Sequence, residues 1–364
     1  MVNKKHVLGF VIIILIVLFS VNYFNKTSLS GYTQGYNQAN DEGDNSWPVI
    51  KGLGSGSVKF THLIINQEDY DYLYPLGHLG APEHPLPTDH IYFVRFNKIS
   101  NYSVYSPADG YIINIHKSCS AYCEYSVTIM HSNTFMSWIE SIKYLNKSLL
   151  KAYESSKNFN SLRIPVKAGD VLGKTDVNLD WGVYDKEVNL NFANPKILGP
   201  YTPHTVFPPD YYDNKLKQEL YSKIYRVTKP LSGKIDYDIE GKLVGDWFMK
   251  GLKNTMSNEN ANKKELSFVY DMFNGSKIVI AFGGNLGIPA VNYFVENNSP
   301  NPKNVGINSG KIIYYLEGTS ESGNQNIHGT MIVKMLTNKT IKVEAFNSKV
   351  LNPEFTSNAK IYYR

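Results

Sequence analysis

The second half of the chain, from Arg226 onward, is a succession of short segments in which apolar and polar residues alternate. Alternation with a period of two is typical of β-strands that bury one face, and turn-forming residues separate each segment from the next. The segments are GKLVGDWFMKG, ELSFVYDMF, SKIVIAFGG, AVNYFVEN, GKIIYYLEG, GTMIVKML, TIKVEAF and AKIYYR. Few folds accommodate so many short strands with tight connections. We expect a small antiparallel barrel over residues 226–364, with a sandwich as the alternative.

Residues 58–195 also carry strand signals, and the 27 tyrosines of the chain add to its β-forming character. VKFTHLIIN and the segment His90–Phe96 are predicted strands. YSVYSPADGYIINIHK alternates around a turn at Ala108–Gly110, which predicts a hairpin, and YSVTIMH is the expected partner strand. The fold class is therefore mainly β, with antiparallel strands in both halves.

One segment of the first half breaks the strand pattern. SWIESIKYLNKSLLKAYESSK repeats apolar residues at steps of three and four, which predicts an inserted amphipathic helix from about Ser137 to Lys157. The residues in that pattern are Ile139, Ile142, Leu145, Leu149 and Tyr153. Residues 196–225 are rich in proline and then briefly helical in YYDNKLKQELYSKIY, so we interpret them as a bridging segment.

The N-terminus reads as an export signal. Lys4 and Lys5 precede an apolar run that begins at Val7, and the predicted signal covers residues 1–24. No Ala-x-Ala cleavage pattern follows, which favours an uncleaved single-pass anchor; a cleaved signal peptide and a secreted protein are the alternative. In both cases the bulk of the chain lies outside the cytoplasm. Residues 25–57 are rich in Gly, Ser, Asn and Gln and predict a flexible linker.

Charge limits the expected classes of binding partner, and the cysteines predict a disulfide. The formal net charge is only +5 and the basic residues are scattered, which argues against nucleic acid as a partner. Cys119 and Cys123 are the two cysteines of the chain, and an exported protein is expected to pair them in a disulfide.

Four ordered pieces give the segment from Val58 to Asp185 a family resemblance. These pieces are VYSPADGYIINI, YSVTIMH, IPVKAGDVLGKT and VNLDWGVYD. Together they resemble the lysostaphin-type zinc endopeptidases, also called LytM-like. The resemblance implies the compact antiparallel β structure of that family, the duplicated-hybrid-motif fold. We therefore expect a peptidase-like domain over residues 58–195.

The family's zinc chemistry is only partly represented. Members take a His and an Asp from an early strand, as His-x-x-x-Asp, and a further His from a His-x-His on the last strand. Here His84 and Asp89 lie one residue further apart, with His90 adjacent, and Asp180 and Gly182 replace the last histidines. The resemblance thus implies a degenerate domain without catalytic residues and without a cofactor. The alternative is a rearranged zinc site built from His84, Asp89, His90 and Asp180.

Three further residues are candidates for lining the former peptidase groove. His131 matches a family position at the end of a strand. In the family, the residue at that position is not a metal ligand. Trp181 could stack on a sugar ring, although a tryptophan more often serves the core. Asp185 supplies an oxygen donor on the last strand.

The C-terminal half has a second resemblance. Gly245-x-Trp247 stands in the first strand and Arg364 in the last, as in lipocalin-like barrels, where a basic residue packs across the tryptophan. The resemblance implies a cation–π contact that closes one end of the barrel. Such a barrel either holds a small apolar ligand or is filled by its own side chains.

These observations predict a membrane-tethered binding or scaffolding protein of the cell envelope. Its expected partner is an envelope glycan, a peptide or another protein, with the membrane contacted through the N-terminal helix. Two alternatives remain open: an active metal-dependent endopeptidase with a rearranged site, and a carrier of a small apolar ligand.

Overall fold

The computed structural model describes residues 47–96, 100–119, 122–156, 162–255, 260–319 and 326–364. The predicted export signal, residues 1–24, and the first part of the predicted linker lie outside these ranges. Within them, no helix has the length and apolar character needed to cross a membrane.

The described part of the first half is built mainly from antiparallel strands, as the sequence predicted. Its strands are β1 Tyr72–Tyr74, β2 Ile91–Val94, β3 Tyr102–Tyr105, β4 Gly110–Cys119, β5 Cys123–Ser132, β6 Phe135–Ile142, β7 Tyr144–Leu145, β8 Ile164–Val166, β9 Val171–Thr175, β10 Leu179–Asp185 and β11 Thr205–Val206. The main sheet has the order β1-β2-β10-β6-β5-β4-β8, and β11 pairs with β10. VNLDWGVYD therefore supplies a central strand, between β2 and β6.

The main sheet has two different faces. Side chains of one face form the largest hydrophobic core, which includes Phe93, Ile129, Ile139, Trp181 and Val183. Because side chains alternate along a strand, their neighbours in sequence point to the opposite face. We call that opposite face, which bears Asp180, Gly182 and Tyr184 on β10, the site face.

The turn at Ala108–Gly110 does not close a hairpin. β3 pairs with β9, and β9 with β7, in a separate three-stranded sheet, whereas β4 pairs with β5 and β8. Before the turn, Ser106 exchanges backbone hydrogen bonds with Gly169 and Asp170, and Pro107 has no N–H to offer a neighbouring strand. The predicted pairing of β4 with YSVTIMH, which lies in β5, is confirmed.

The predicted helix is half as long as the sequence indicated. Residues 135–142 form β6, which is buried on both faces between β5 and β10, so its apolar spacing reflects two-sided packing. The inserted helix α1 covers Lys147–Ser155 and begins where the Asn146 side chain accepts a hydrogen bond from the Leu149 N–H at 2.8 Å. The predicted end, Lys157, lies outside the described residues.

Two smaller predictions are confirmed. A disulfide joins Cys119 at the end of β4 to Cys123 at the start of β5. A short helix, α2 Asn214–Ser222, occupies the bridging segment, and Asp213 caps it by accepting from the Leu216 N–H.

The second half forms a closed antiparallel barrel in which each strand pairs with the next and the last with the first. Its strands are β12 Gly245–Met249, β13 Glu265–Tyr270, β14 Ile278–Phe282, β15 Asn292–Val295, β16 Lys311–Thr319, β17 Asn326–Thr337, β18 Thr340–Phe346 and β19 Lys360–Tyr363. The barrel prediction is confirmed over the sandwich.

Side chains pack the interior of the barrel. The largest members of this core are Trp247, Phe268, Phe282, Tyr293, Tyr314 and Tyr362. An eight-stranded barrel is just wide enough for its own side chains to fill it or for one small ligand. A ligand carried inside this barrel would have to displace these side chains.

Candidate functional site

Asp180 lies at the centre of the site face. Strand register places it directly opposite Tyr92 on β2 and opposite Glu140 on β6. Three polar side chains thus follow one another across three adjacent strands. The sequence placed Asp180 among the candidate ligands but did not identify Tyr92 or Glu140. Tyr92 could have been found from its position two residues after His90, whereas Glu140 was hidden in the predicted helix.

Burial shapes the electrostatics of this row. Burial raises the pKa of Asp180 to about 7, and the nearby His90 offsets part of that rise. Burial, reinforced by the charge of Asp180, raises the pKa of Glu140 well above its usual value. Two neighbouring carboxyl groups in a poorly solvated place favour their protonated forms.

The pair Asp89–His90 lies beside the row. The His90 Nδ1 lies 3.1 Å from Asp89 Oδ1, and the His90 Nε2 lies 2.7 Å from the Tyr92 hydroxyl. Thr202 and Tyr184 donate hydrogen bonds to Asp89 Oδ2 at 2.6 and 3.3 Å. Burial raises the pKa of Asp89, but the bonds from these partners and from His90 bring it below its usual value. Asp89 is therefore an ionised acceptor, and both of its carboxylate oxygens are engaged by neighbouring side chains.

His84 and His78 complete the polar group. Burial, together with the charges of neighbouring histidines, lowers the pKa of His84 to about 4 and that of His78 to about 3. The two side chains approach each other across Gly80, where an added Cβ would lie 3.3 Å from His78 and 3.7 Å from His84. His78 is a site residue that the sequence analysis did not select.

The arrangement does not fit a catalytic zinc ion. Across the described ranges, no three His, Cys, Asp or Glu side chains come together as metal ligands. Asp180 faces another carboxyl group and a phenol instead of the histidines that a zinc site of this type needs. The four candidates His84, Asp89, His90 and Asp180 form one polar neighbourhood, in which Asp89 and His90 are hydrogen-bonded to protein groups.

The three candidate groove residues lie on the other face of the sheet. Trp181 is fully buried in the main core, and its ring is stacked at 6.2 Å from Phe93. His131 contacts the Asp109 carbonyl and the Ser137 hydroxyl, each at 2.9 Å, and burial lowers its pKa to about 4. For Trp181 this placement follows from alternation, because it lies one position from Asp180 on β10 and so points to the opposite face.

Asp185 follows the same rule. Its carboxylate accepts hydrogen bonds from the Glu187 N–H at 3.0 Å and from the Tyr211 hydroxyl at 3.3 Å. It is buried, with 4% of its surface exposed, and its contacts hold the chain after β10 in place. Asp185 is a structural residue rather than part of the site face.

Part of the predicted linker covers the site face. Residues 47–56, which we call the strap, are held by the turn between β5 and β6. Asn133 accepts from the Ile50 N–H at 2.8 Å and donates to the Ile50 and Leu53 carbonyls. Trp47 packs with Trp138 and Tyr184 beside Gly182. The strap thus occupies part of the surface that a substrate of an open groove would need.

The barrel holds the loop that carries the histidines. The Asn292 side chain of β15 donates to the Leu79 carbonyl at 2.6 Å and accepts from the Ala81 N–H at 3.1 Å. The Ser267 hydroxyl donates to the buried Pro85 carbonyl at 2.6 Å. The loop between β1 and β2 is therefore fixed from both sides, by the sheet and by the barrel wall.

The barrel signature forms a closed contact. The Arg364 guanidinium lies 3.8 Å above the ring of Trp247 and donates to the Val244 carbonyl at 2.7 Å. Gly245 has φ +113°, and a Cβ there would lie 1.8 Å from an oxygen of Asp238, so only glycine fits. The cation–π contact that the lipocalin resemblance implied is present at this end of the barrel.

Comparison with known proteins gives partial structural similarity. The sequence matches no protein-family profile and no curated protein. A chain of the SpoIIQ-SpoIIIAH pore forming complex is similar at 11% identity and a TM-score of 0.28, over 43% of this chain and 93% of that one. A putative peptidase M23 from Pseudomonas aeruginosa is similar at 18% identity and a TM-score of 0.22, over 37% of this chain and 50% of that one.

A zinc containing peptidase from Vibrio cholerae is similar at 14% identity and a TM-score of 0.22, over 34% of this chain. This chain covers only 38% of that peptidase and half of the Pseudomonas aeruginosa protein. Likenesses at these scores do not by themselves assign a fold or an activity.

Proposed function

We propose that this protein is a non-catalytic binding or scaffolding protein of the cell envelope, built on a degenerate lysostaphin-type domain. Its N-terminal segment tethers it to the membrane, and both β units lie outside the cytoplasm. Its partner is a protein, a peptide or a glycan of the envelope. Catalysis by a bound zinc ion is the alternative that the first experiment must decide.

The position of Asp180 carries the proposal. A hydrolytic zinc site needs three protein ligands and an open position for water. On the site face, Asp180 instead stands between Tyr92 and Glu140, and Asp89 is already bonded to Thr202 and Tyr184. Hydrogen bonds engage Asp89, and a phenol and a second carboxyl group flank Asp180, which supports a non-catalytic role.

The strap and the barrel support a binding function. The strap packs Trp47 onto the site face, and the barrel fixes the loop around Leu79 through Asn292. Both contacts make the surface rigid and leave less room for an extended substrate. Rigid surfaces bind partners at a lower cost in conformational entropy than mobile ones do.

Zinc content tests the proposal directly. The full chain is purified without a histidine tag, dialysed against zinc at about micromolar concentration and analysed by elemental mass spectrometry. We expect far less than one zinc per chain, because the site face supplies no complete ligand set. The same value is expected for His84→Ala, for Asp89→Ala and for the control His328→Ala on the barrel.

The opposite result would favour the hydrolase alternative. About one zinc per chain in the parent, lost in His84→Ala and Asp89→Ala but kept in His328→Ala, would show that these residues assemble a metal site. Peptide hydrolysis by the parent and not by the two variants would then establish the activity.

A further inference from the structure

A polar cleft of about 1060 Å³ lies on the outer wall of the barrel. Strands β14 to β17 and the loop after β15 form its walls. Its charged and amide-bearing lining residues include Lys277, Glu296, Asn297, Asn298, Glu317 and His328. A cleft of this size is in the range of small-molecule binding sites, and it lies away from the site face.

A row of three side chains forms the floor of the cleft. Phe294 on β15 is paired with Glu317 on β16, and Glu317 with His328 on β17, so the three follow one another across the wall. Their neighbours Tyr293 and Leu316 point inward and fill the barrel core. The inward residues thus stabilise the barrel core, while Phe294 keeps 39% of its surface exposed.

The polar groups of the cleft are nearly balanced in charge. Lys349 lies 2.5 Å from Glu296 in an ion pair, and Lys277 lies 5.5 Å from the centre of the Phe294 ring. The hydrogen bond with Glu296, with a smaller contribution from the charge of Glu317, raises the pKa of Lys349, so both glutamates lie near this cation. Such a surface lacks the concentrated positive charge that nucleic acids and acidic lipids need.

We infer that this cleft binds a neutral oligosaccharide. A sugar ring offers an apolar C–H face to the Phe294 ring, while its hydroxyls both donate and accept. Glu317 supplies an acceptor, His328 has a donor and an acceptor nitrogen, and Asn297 offers both through its amide. An extended peptide fits less well, because a closed barrel leaves no free strand edge for it to pair with.

The inference names a ligand class for the binding function proposed above and rests on it. The cleft also continues the wall that holds the histidine loop. Asn292, which binds that loop, and Phe294 are two residues apart on β15 and share its outer face. A bound sugar would therefore lie close to the contact between the two halves of the protein.

Calorimetric titration of the full chain tests the inference. The chain is kept in a detergent without a sugar headgroup. The probes are neutral tetrasaccharides of glucose, mannose, galactose and N-acetylglucosamine. We expect at least one to bind with a Kd of about 1 mM or lower, and Phe294→Ala to weaken it about tenfold through loss of the stacking surface.

Three variants make the result specific. Glu317→Gln should weaken binding about threefold, since a charged acceptor becomes a neutral one. Phe294→Tyr should retain binding, and Tyr363→Ala, which removes an exposed ring from β19, should leave it unchanged.

Two results would overturn the inference: binding of none of the tetrasaccharides at about 10 mM, or equal binding by the parent, Phe294→Ala and Glu317→Gln. Either would leave the non-catalytic proposal standing, because zinc content reads the site face and not the barrel wall.

Discussion

Glu140 and Asp180 occupy directly paired positions on β6 and β10, so two carboxyl side chains lie next to each other on one face of the sheet. Such a pair is costly when both members are charged and poorly solvated. Burial raises the pKa of both groups, which favours their protonated forms and so reduces that cost. Each of these two carboxyl groups therefore loses its proton less readily than an exposed one does.

The first prediction concerns Asp180→Asn. The pKa of Asp180 is raised in the folded state to about 7, so the parent loses stability as the pH rises from the unfolded pKa, about 4, to about 7. The variant has no such loss. Its free energy of unfolding relative to the parent should therefore rise over this interval by on the order of 2 kcal/mol.

Urea unfolding of both proteins at several pH values measures this difference. The histidines contribute a free energy of unfolding that rises with pH, opposite to the contribution of Asp180. Both proteins contain the same histidines, so the difference between variant and parent removes that contribution. A difference that stays flat across the interval would mean that Asp180 ionises normally.

The second prediction concerns Gly182. A Cβ at this position would lie 2.8 Å from the Tyr184 hydroxyl, which donates to Asp89. Gly182→Ala should therefore displace that ring and cost about 1–3 kcal/mol of unfolding free energy. Gly54→Ala is the matched control, since nothing lies within 4 Å of an added Cβ there. Equal stability of the two variants would show that Tyr184 moves aside freely.

Gly182 also bears on the alternative of a zinc site. Installing His-x-His through Asp180→His and Gly182→His would meet the same Tyr184 contact. Because Tyr184 occupies the space beside Gly182, introducing these two histidines should not create a zinc site. Zinc bound stoichiometrically by the double variant would contradict this.

Local sequence pattern predicted part of this site. Alternation along VNLDWGVYD separated Asp180 and Gly182 from Trp181 and Val183, and the structure has that division. The same rule, applied consistently, would have removed Trp181 and Asp185 from the groove candidates. The eight strands of the barrel could also be predicted, because each is short, alternates apolar and polar residues and is bounded by turn residues.

Contacts between residues far apart in the sequence could not be predicted from local patterns. Glu140 joins Asp180 only through the register of β6, and β6 has apolar spacing that also fits a helix. The strap carries linker-like composition, and its order depends on Asn133, about eighty positions away. The contact between Asn292 and the histidine loop spans more than two hundred positions, beyond the reach of any local pattern.

The third prediction concerns the strap. Asn133→Ala removes one acceptor and two donor bonds to Ile50 and Leu53. Amide hydrogen exchange of residues 47–56 should become at least about tenfold faster, while exchange in the barrel is unchanged. Asn308→Ala, at an exposed position, is the control. Unaltered exchange in the Asn133 variant would mean that Trp47 and the hydrogen bonds of Gly54 and Gly56 are enough to hold the strap.

The fourth prediction concerns the buried histidines. Burial lowers the pKa of His84 and of His131 to about 4, so both rings stay neutral at mildly acidic pH. An unfolded histidine takes up its proton near pH 6.5, so these rings make the fold less stable as the pH falls from about 6.5 to about 4. A nuclear magnetic resonance titration of the ring C–H signals checks this. A midpoint near 6.5 for either ring would contradict the burial argument.

The last prediction concerns the barrel end. Arg364 is buried over Trp247, donates to the Lys242 and Val244 carbonyls and lies 3.4 Å from Asp238. Removing one partner of a buried charge pair leaves the other without compensation. Arg364→Ala should therefore lower the free energy of unfolding by about 3–5 kcal/mol, and Arg364→Lys by a smaller but clear amount, since an ammonium cannot reproduce the planar fork.

A double-mutant cycle with Asp238→Asn separates the ion pair from the other contacts of Arg364. If the pair contributes, the double variant should be more stable than the sum of the single effects predicts. Additive effects would assign the stabilisation to the carbonyls and to the Trp247 ring. Loss of stability no larger than that of Asn358→Ala, an exposed control, would show that Arg364 does not close the barrel.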